Sequence, residues 1–337
     1  MKNTTKKLTI TLVILDILTL IFLFFTYGPI SYFRDLLITT AMTTKSHHYL
    51  ALTLYDEETV YKVLASNYMK EVDENTNTSD INIGNIKEQT TYESESEREI
   101  LEHDKDDIYK IINISGAGYK GFVVAIYDPS RIELVTANRF GVQGEFLQNI
   151  VKRTDALIGI NAGGFADAGG IGNGGIPTGT VIQDGKIIYE GVDTGWGGGI
   201  VGFTKDNILV LTKEDAKTAI ENGIEDAVEF GPFLIVNGKR AIAKGNGGYG
   251  ISSRTALAQR QDGIVLFVVI DGRQPGYSIG VNMVELTDIL VKYKAYNAVN
   301  LDGGASSSLV EKGVILNKPC ATSATGERWI PEAWIVK

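Results

Sequence analysis

Two apolar runs, each closing on an aspartate followed by glycine, constrain this chain more than any other feature. They are Val268-Val269-Ile270-Asp271-Gly272-Arg273 and Ala298-Val299-Asn300-Leu301-Asp302-Gly303-Gly304. Such runs read as buried strands, because a strand with one wet face would alternate apolar and polar residues. A carboxylate is costly inside a core, so Asp271 and Asp302 are expected where a strand emerges into a pocket. The glycines behind them let the backbone turn sharply and leave room for a ligand. Glycine makes up 38 of the 337 residues, about 11% against a usual share of roughly 7%. The excess lies between residues 116 and 313 and marks that region as rich in turns.

Residues 108–337 are expected to form one α+β domain with a mixed, largely antiparallel sheet, hairpins and a few packed helices. Strands are predicted over residues 121–128 and 132–136. Hairpins are predicted around Asp184-Gly185, Asn237-Gly238 and Asp262-Gly263, pairs suited to tight turns. Helices are predicted over residues 143–153, 213–222 and 282–293. The last carries Met283, Leu286, Ile289, Leu290 and Tyr293 on one face as a core-packing stripe.

The N-terminal third is organised differently. Residues 1–7 form a basic tail. Residues 8–27 are apolar apart from Asp16 and several threonines, a length that spans a bilayer core. The lysines at the start place the remainder of the chain outside the cytoplasm, so an uncleaved single-pass anchor in the cell membrane is expected, with a cleaved signal peptide as its rival. Residues 28–70 read as a membrane-proximal helical segment, in which the adjacent His47 and His48 would face different sides and are structural. Residues 71–107 hold 13 acidic and 3 basic residues, a disordered-linker composition. That stretch accounts for the net charge of -9 and leaves the remainder near neutral, without the basic footprint of a nucleic-acid binder. Cys320 is the single cysteine, so no intramolecular disulfide forms and Cys320 is read as structural.

His47, His48 and His103 are the only histidines and all precede the domain, which excludes a His-based triad or a His-rich zinc site within it. The chemistry must then use carboxylates, guanidinium groups, amides and hydroxyls. Asn161 closes an apolar run and precedes Gly163 and Gly164, a loop able to close over a ligand; its amide can both donate to and accept from sugar hydroxyls. Asn173, Gly174, Gly175 and Thr178 lie in a second glycine-rich loop whose amides could cradle an anion. Arg254 starts a strand. Arg273 follows Asp271, and Ser306 and Ser307 follow Gly303 and Gly304. This inventory fits hydrolysis at an anomeric carbon or a hard cation such as calcium, with no cofactor required.

At five places the chain resembles the phosphodiester glycosidase family: Asn161-Ala162-Gly163-Gly164-Phe165; Gly231-Pro232-Phe233 with Asn237-Gly238; Arg254-Thr255-Ala256; Asp271-Gly272-Arg273; and Leu301-Asp302-Gly303-Gly304-Ala305-Ser306-Ser307. Many bacterial members of that family are described as exopolysaccharide-related surface proteins. The resemblance covers residues 108–337 and departs at Ala305, where a third glycine is common, and at Gly164, where an aromatic is frequent. It implies cleavage of the glycosidic bond of a sugar-1-phosphodiester, such as an N-acetylglucosamine-1-phosphodiester, in surface glycan or a related polymer. On that basis Arg254 and Arg273 would hold the phosphate, Asp302 would act as base or nucleophile, Asp271 would be its partner or a cation ligand, and Asn161 and Ser306 would orient hydroxyls. The rival readings are a phospho-glycan binding module without turnover, and an exopolysaccharide assembly protein whose helix and linker are its working parts. The sugar, the anomer, the metal dependence and the oligomeric state are left open by the sequence.

Overall fold

Antiparallel pairing of short strands builds the body of the protein. The computed structural model describes residues 2–44, 47–84, 91–167, 172–191 and 197–337. The chain divides into one unit of residues 1–68 with 244–250 and a second of residues 69–243 with 251–337.

The second unit is α+β, as expected. Its largest sheet has seven strands in the order Lys239–Arg240, Phe233–Val236, Ala295–Asn300, Arg254–Arg260, Val265–Ile270, Tyr119–Ile126, Tyr109–Gly116. A five-stranded sheet runs Val314–Ile315, Leu309–Glu311, Ile158–Asn161, Glu332–Val336, Ile132–Thr136. Another five-stranded sheet is built from Lys186–Tyr189, Val181–Gln183, Ile224–Phe230, Gly199–Thr204 and Leu209–Thr212. All three are antiparallel. Their inner faces share one core that includes Leu257, Phe267, Val299, Ile160, Trp334, Val201 and Phe203, and Phe203 meets Trp334 edge-on at 5.4 Å. Every residue of Arg254–Arg260 and Val265–Ile270 is buried, which explains why Val265–Ile270 reads as an apolar run without alternation.

Local chemistry accounts for the element ends. Asp184 with Gly185, and Asn237 with Gly238, each place two consecutive residues at positive φ, as a two-residue hairpin turn with the twist of its strands requires. At Asp262-Gly263 only Gly263 is left-handed. Helix Met283–Lys292 starts in a capping box: the Asn282 side chain accepts from the Glu285 N–H while Glu285 accepts from the Asn282 N–H. The helices expected over 143–153 and 213–222 are shorter, Leu147–Thr154 and Ala216–Glu221.

Residues 71–107, expected as a disordered linker, are ordered against this unit where described. The Glu71 carboxylate accepts from the backbone N–H groups of Phe233 and Gly198. Ile81 and Ile100 are buried. Helix Glu95–Leu101 presents Glu97 to Lys294 at 2.7 Å, and the Tyr127 hydroxyl donates to the Ile100 carbonyl. The physical reason is complementarity. The acidic residues that suggest disorder in isolation find lysines and backbone amides on the folded domain, and two isoleucines add apolar burial that composition averages away.

In the first unit, helix Lys2–Tyr27 contains a segment, Thr4–Tyr27, long and apolar enough to cross a membrane by length and composition. A signal sequence passes the same test. The following segment is three helices, Ser31–Met42, His48–Leu54 and Glu57–Ser66, instead of one. Asp56 caps the last, accepting from the Thr59 N–H at 2.7 Å. The break lets Ile38, Ala41, Ala51, Val60 and Val63 bury one another, which a single straight helix could not do.

Candidate active site

The strand Arg254–Arg260 lies between Val265–Ile270 and Ala295–Asn300. The two aspartates therefore end strands that flank one central strand. Beyond Asn300 the chain is bolted down by backbone bonds: the Asp302 N–H donates to the Ala162 carbonyl at 3.1 Å, and the Gly304 N–H to the Ser253 carbonyl at 2.9 Å. Ser253 Oγ returns a bond to the Gly304 carbonyl at 2.7 Å. Asp302 is half-buried at the head of this loop.

Two guanidinium groups flank the same loop. Arg254, nearly buried, donates through Nε to the Val281 carbonyl at 3.2 Å, and its Cδ lies 3.8 Å from where a Cβ on Gly303 would stand. Arg273 is exposed and donates through Nε to Ser252 Oγ at 3.0 Å. Its guanidinium passes within 2.6 Å of where a Cβ on Gly304 would stand. Gly304 also has φ +61°, so a side chain there would be strained and would collide with Arg273. The loop thus gathers one carboxylate and two guanidinium groups in a partly open place.

Asp271 is used differently. It is 1% exposed; Oδ1 accepts from Asn317 Nδ2 at 3.1 Å and the Lys318 N–H at 2.8 Å, and Oδ2 accepts from the Tyr277 hydroxyl at 3.1 Å. Oδ1 holds the loop at Asn317 and Lys318 and Oδ2 holds Tyr277, so the expected pairing with Asp302, or service as a cation ligand, has no support in this geometry. Asn161 is fully buried: Nδ2 donates to the Asp302 carbonyl at 2.6 Å, while Oδ1 accepts from Thr255 Oγ1 at 2.8 Å and the Ser308 N–H at 3.2 Å. It joins three strand ends and presents no exposed atom to a sugar.

The loop of Asn173, Gly174, Gly175 and Thr178 is not an open cradle. Asn173 accepts from the Gly175 N–H and donates to the Val142 carbonyl. Gly174 lies against the Trp329 backbone, and the Thr178 N–H donates to the Gly164 carbonyl. Gly164 packs on the Phe230 ring, which fills the space an aromatic side chain at position 164 would need. Ser306 and Ser307 are buried behind the Asp302 loop, Ser307 Oγ without a hydrogen-bond partner among the described residues. Cys320 Sγ stands 3.6 Å from both Ser253 Oγ and the Gly304 carbonyl. Among the described residues no group of three or more His, Cys, Asp or Glu side chains is placed to hold a metal ion.

Two features escape the sequence reading. Gly276-Tyr277-Ser278-Ile279-Gly280 has the Gly-x-Ser-x-Gly spacing of a nucleophile elbow. Its serine is buried, donates to the Asp271 carbonyl at 2.5 Å and accepts from the Lys120 N–H at 3.1 Å, so it is a structural brace. The second is Glu332, at the start of the buried strand Glu332–Val336 and 1% exposed. Neither carboxyl oxygen has a hydrogen-bond partner among the described residues. Burial, and then the charge of Asp302, push its acid up to about 8, with the Gly163 amide acting in the opposite direction. Its sequence signal is a lone acid inside Ile330-Pro331-Glu332-Ala333-Trp334-Ile335-Val336.

Comparison with known proteins bears on the same region. The sequence model of the phosphodiester glycosidase family matches residues 154–337. An uncharacterized SPbeta prophage-derived protein, YomE, of Bacillus subtilis is 27% identical over 198 residues, covering 56% of this chain and 29% of that protein. Human N-acetylglucosamine-1-phosphodiester alpha-N-acetylglucosaminidase is 35% identical over 69 residues, covering 20% of this chain and 13% of the enzyme. The chain thus spans less than a third of the length of these curated relatives. The catalytic domain of the zebrafish enzyme, auto-inhibited by its pro-peptide, shares the fold with a TM-score of 0.54 at 21% identity, over 69% of this chain and 85% of that one.

Proposed function

The chain belongs to the phosphodiester glycosidase family, and we propose that it hydrolyses the glycosidic bond of a sugar-1-phosphodiester, resembling an N-acetylglucosamine-1-phosphodiester, in a surface glycan or related polymer. The observation that carries the proposal is the Asp302 loop with Arg254 and Arg273 on its two glycines. A phosphodiester is an anion, and planar guanidinium groups are suited to its oxygens.

In the proposed reaction the C1–O bond breaks and the phosphomonoester departs with the electron pair. Water supplies the oxygen that replaces it at C1. Asp302 either accepts the proton of that water directly or first bonds to C1 and is released by water in a second step. The two arginines neutralise charge on the departing phosphate, so little protonation of the leaving oxygen is needed. The helix Lys2–Tyr27 supports a setting at the membrane with the domain outside the cytoplasm.

The test is release of free sugar from N-acetylglucosamine-1-phospho-methyl diester and related sugar phosphodiesters by the detergent-solubilised full chain, with and without calcium. Release that is lost in Asp302→Asn supports the reading. Saturable binding of the diesters without release would overturn it in favour of a phospho-glycan binding module.

A further inference from the structure

We propose that Glu332 is a positioning residue of this site: a buried carboxylic acid, held neutral behind Asp302, that leaves Asp302 as the one anion presented to the substrate. The role rests on Asp302 being the reactive carboxylate. The geometry that couples the two is a single residue, Ala162. The Ala162 N–H donates to the Glu332 carbonyl at 3.3 Å, and the Ala162 carbonyl accepts from the Asp302 N–H at 3.1 Å. The next residue, Ala333, pairs in register with Asn161, whose amide holds the Asp302 carbonyl. Strand Glu332–Val336 and the Asp302 loop are thus locked to the same two residues, Asn161 and Ala162.

The Glu332 side chain is directed at that joint. A Cβ on Gly163 would lie 2.7 Å from its Oε1, so the glycine keeps open the space that the carboxyl occupies. Other carboxylates on the adjoining strands are turned to other tasks. Glu229 accepts from the Thr180 N–H, Asp226 from the Leu134 and Asp184 N–H groups, and Glu133 lies 4.0 Å from Lys337. The ionisable side chain nearest along the chain, Arg328, pairs with Asp167 at 2.5 Å. Among the described residues, Asp302 is the ionised group that acts on Glu332. A fully buried acid whose desolvation outweighs the one amide beside it is more stable neutral than charged. Were it to ionise, a second negative charge beside Asp302 would oppose binding of an anionic diester and disfavour ionised Asp302.

The experiment compares the full chain with Glu332→Gln and Asp302→Asn between about pH 5 and about pH 10, by thermal unfolding and by the rate of sugar release. Because the acid is neutral when folded and ordinary when unfolded, its contribution to stability is complete below about pH 4.5 and disappears as pH rises through about 8. The unfolding temperature of the parent should fall across that range, the fall should be missing in Glu332→Gln, and in Asp302→Asn it should end at lower pH. The ratio of the rate at pH 9 to that at pH 6 should rise about tenfold in Glu332→Gln, since one unit above the ionisation roughly a tenth of the active form remains. Unchanged pH dependence in Glu332→Gln would overturn the proposal. So would loss of release at every pH in a folded Glu332→Gln, which would make Glu332 the proton donor itself. If the parent releases no sugar, the hydrolase reading fails. The unfolding curve of Asp302→Asn then still decides the coupling, and an unmoved inflection would overturn it.

Discussion

Asp271 and Asp302 end strands that flank the same central strand, yet their surroundings differ. Asp271 holds three donors from two segments, Tyr277 and Asn317-Lys318. Removing it leaves a buried amide and a backbone N–H unsatisfied, so Asp271→Ala should cost about 3 kcal/mol of stability by chemical denaturation. Asp302 is half-buried and is positioned through its backbone. Asp302→Asn should lower the rate of sugar release by about 10²–10⁴-fold while leaving the unfolding temperature near neutral pH within about 2 °C of the parent. Arg273, exposed and held by one bond to Ser252, should behave as a binding group. Arg273→Ala is expected to raise KM by about ten- to a hundredfold, equivalent to roughly 1.5–3 kcal/mol for a hydrogen bond to a charged partner. At this scale residue types were legible and their assignments only in part, because a strand-end aspartate reads the same whether its oxygens face a pocket or a neighbouring loop.

Among the elements, the segment before the sheet domain is the most consequential. Ile81 and Ile100 are buried, and Glu71, Glu74 and Glu97 meet Lys213, Lys239 and Lys294. Full burial of an isoleucine stabilises by about 1.5–3 kcal/mol, and the exposed Lys239–Glu74 pair adds little. A chain beginning at residue 69 should therefore unfold cooperatively, whereas one beginning at residue 108 should melt several degrees lower and bind a hydrophobic dye. Strands were more legible than this segment. Hairpin turns at Asp184-Gly185 and Asn237-Gly238 and the capping box at Asn282 are local signals, complete within four residues. The acidic segment is stabilised by partners more than a hundred residues away, which no local pattern displays.

For the whole molecule, Thr4–Tyr27 is 24 residues long, about 36 Å as a helix against a hydrocarbon core of about 30 Å. The full chain should sediment with membranes and require detergent for release, and removal of residues 1–27 should leave it in the soluble fraction. Carbonate washing distinguishes insertion from peripheral attachment. Recovery of the intact chain at its full mass from membranes would identify the helix as an anchor, and loss of the N-terminal residues would identify a signal sequence.

The sequence alone determines the antiparallel α+β character, the two strand-end aspartates and the family, since alternation, turn pairs and short motifs are local and additive. Only tertiary structure decides how each aspartate is used. Asp271 is consumed by Asn317, Lys318 and Tyr277, and Glu332, silent in an apolar strand, is tied to the Asp302 backbone through Ala162. The physical reason is that a carboxyl's chemistry depends on its burial, its donors and its neighbouring charges, and here all three are supplied by segments distant in the chain.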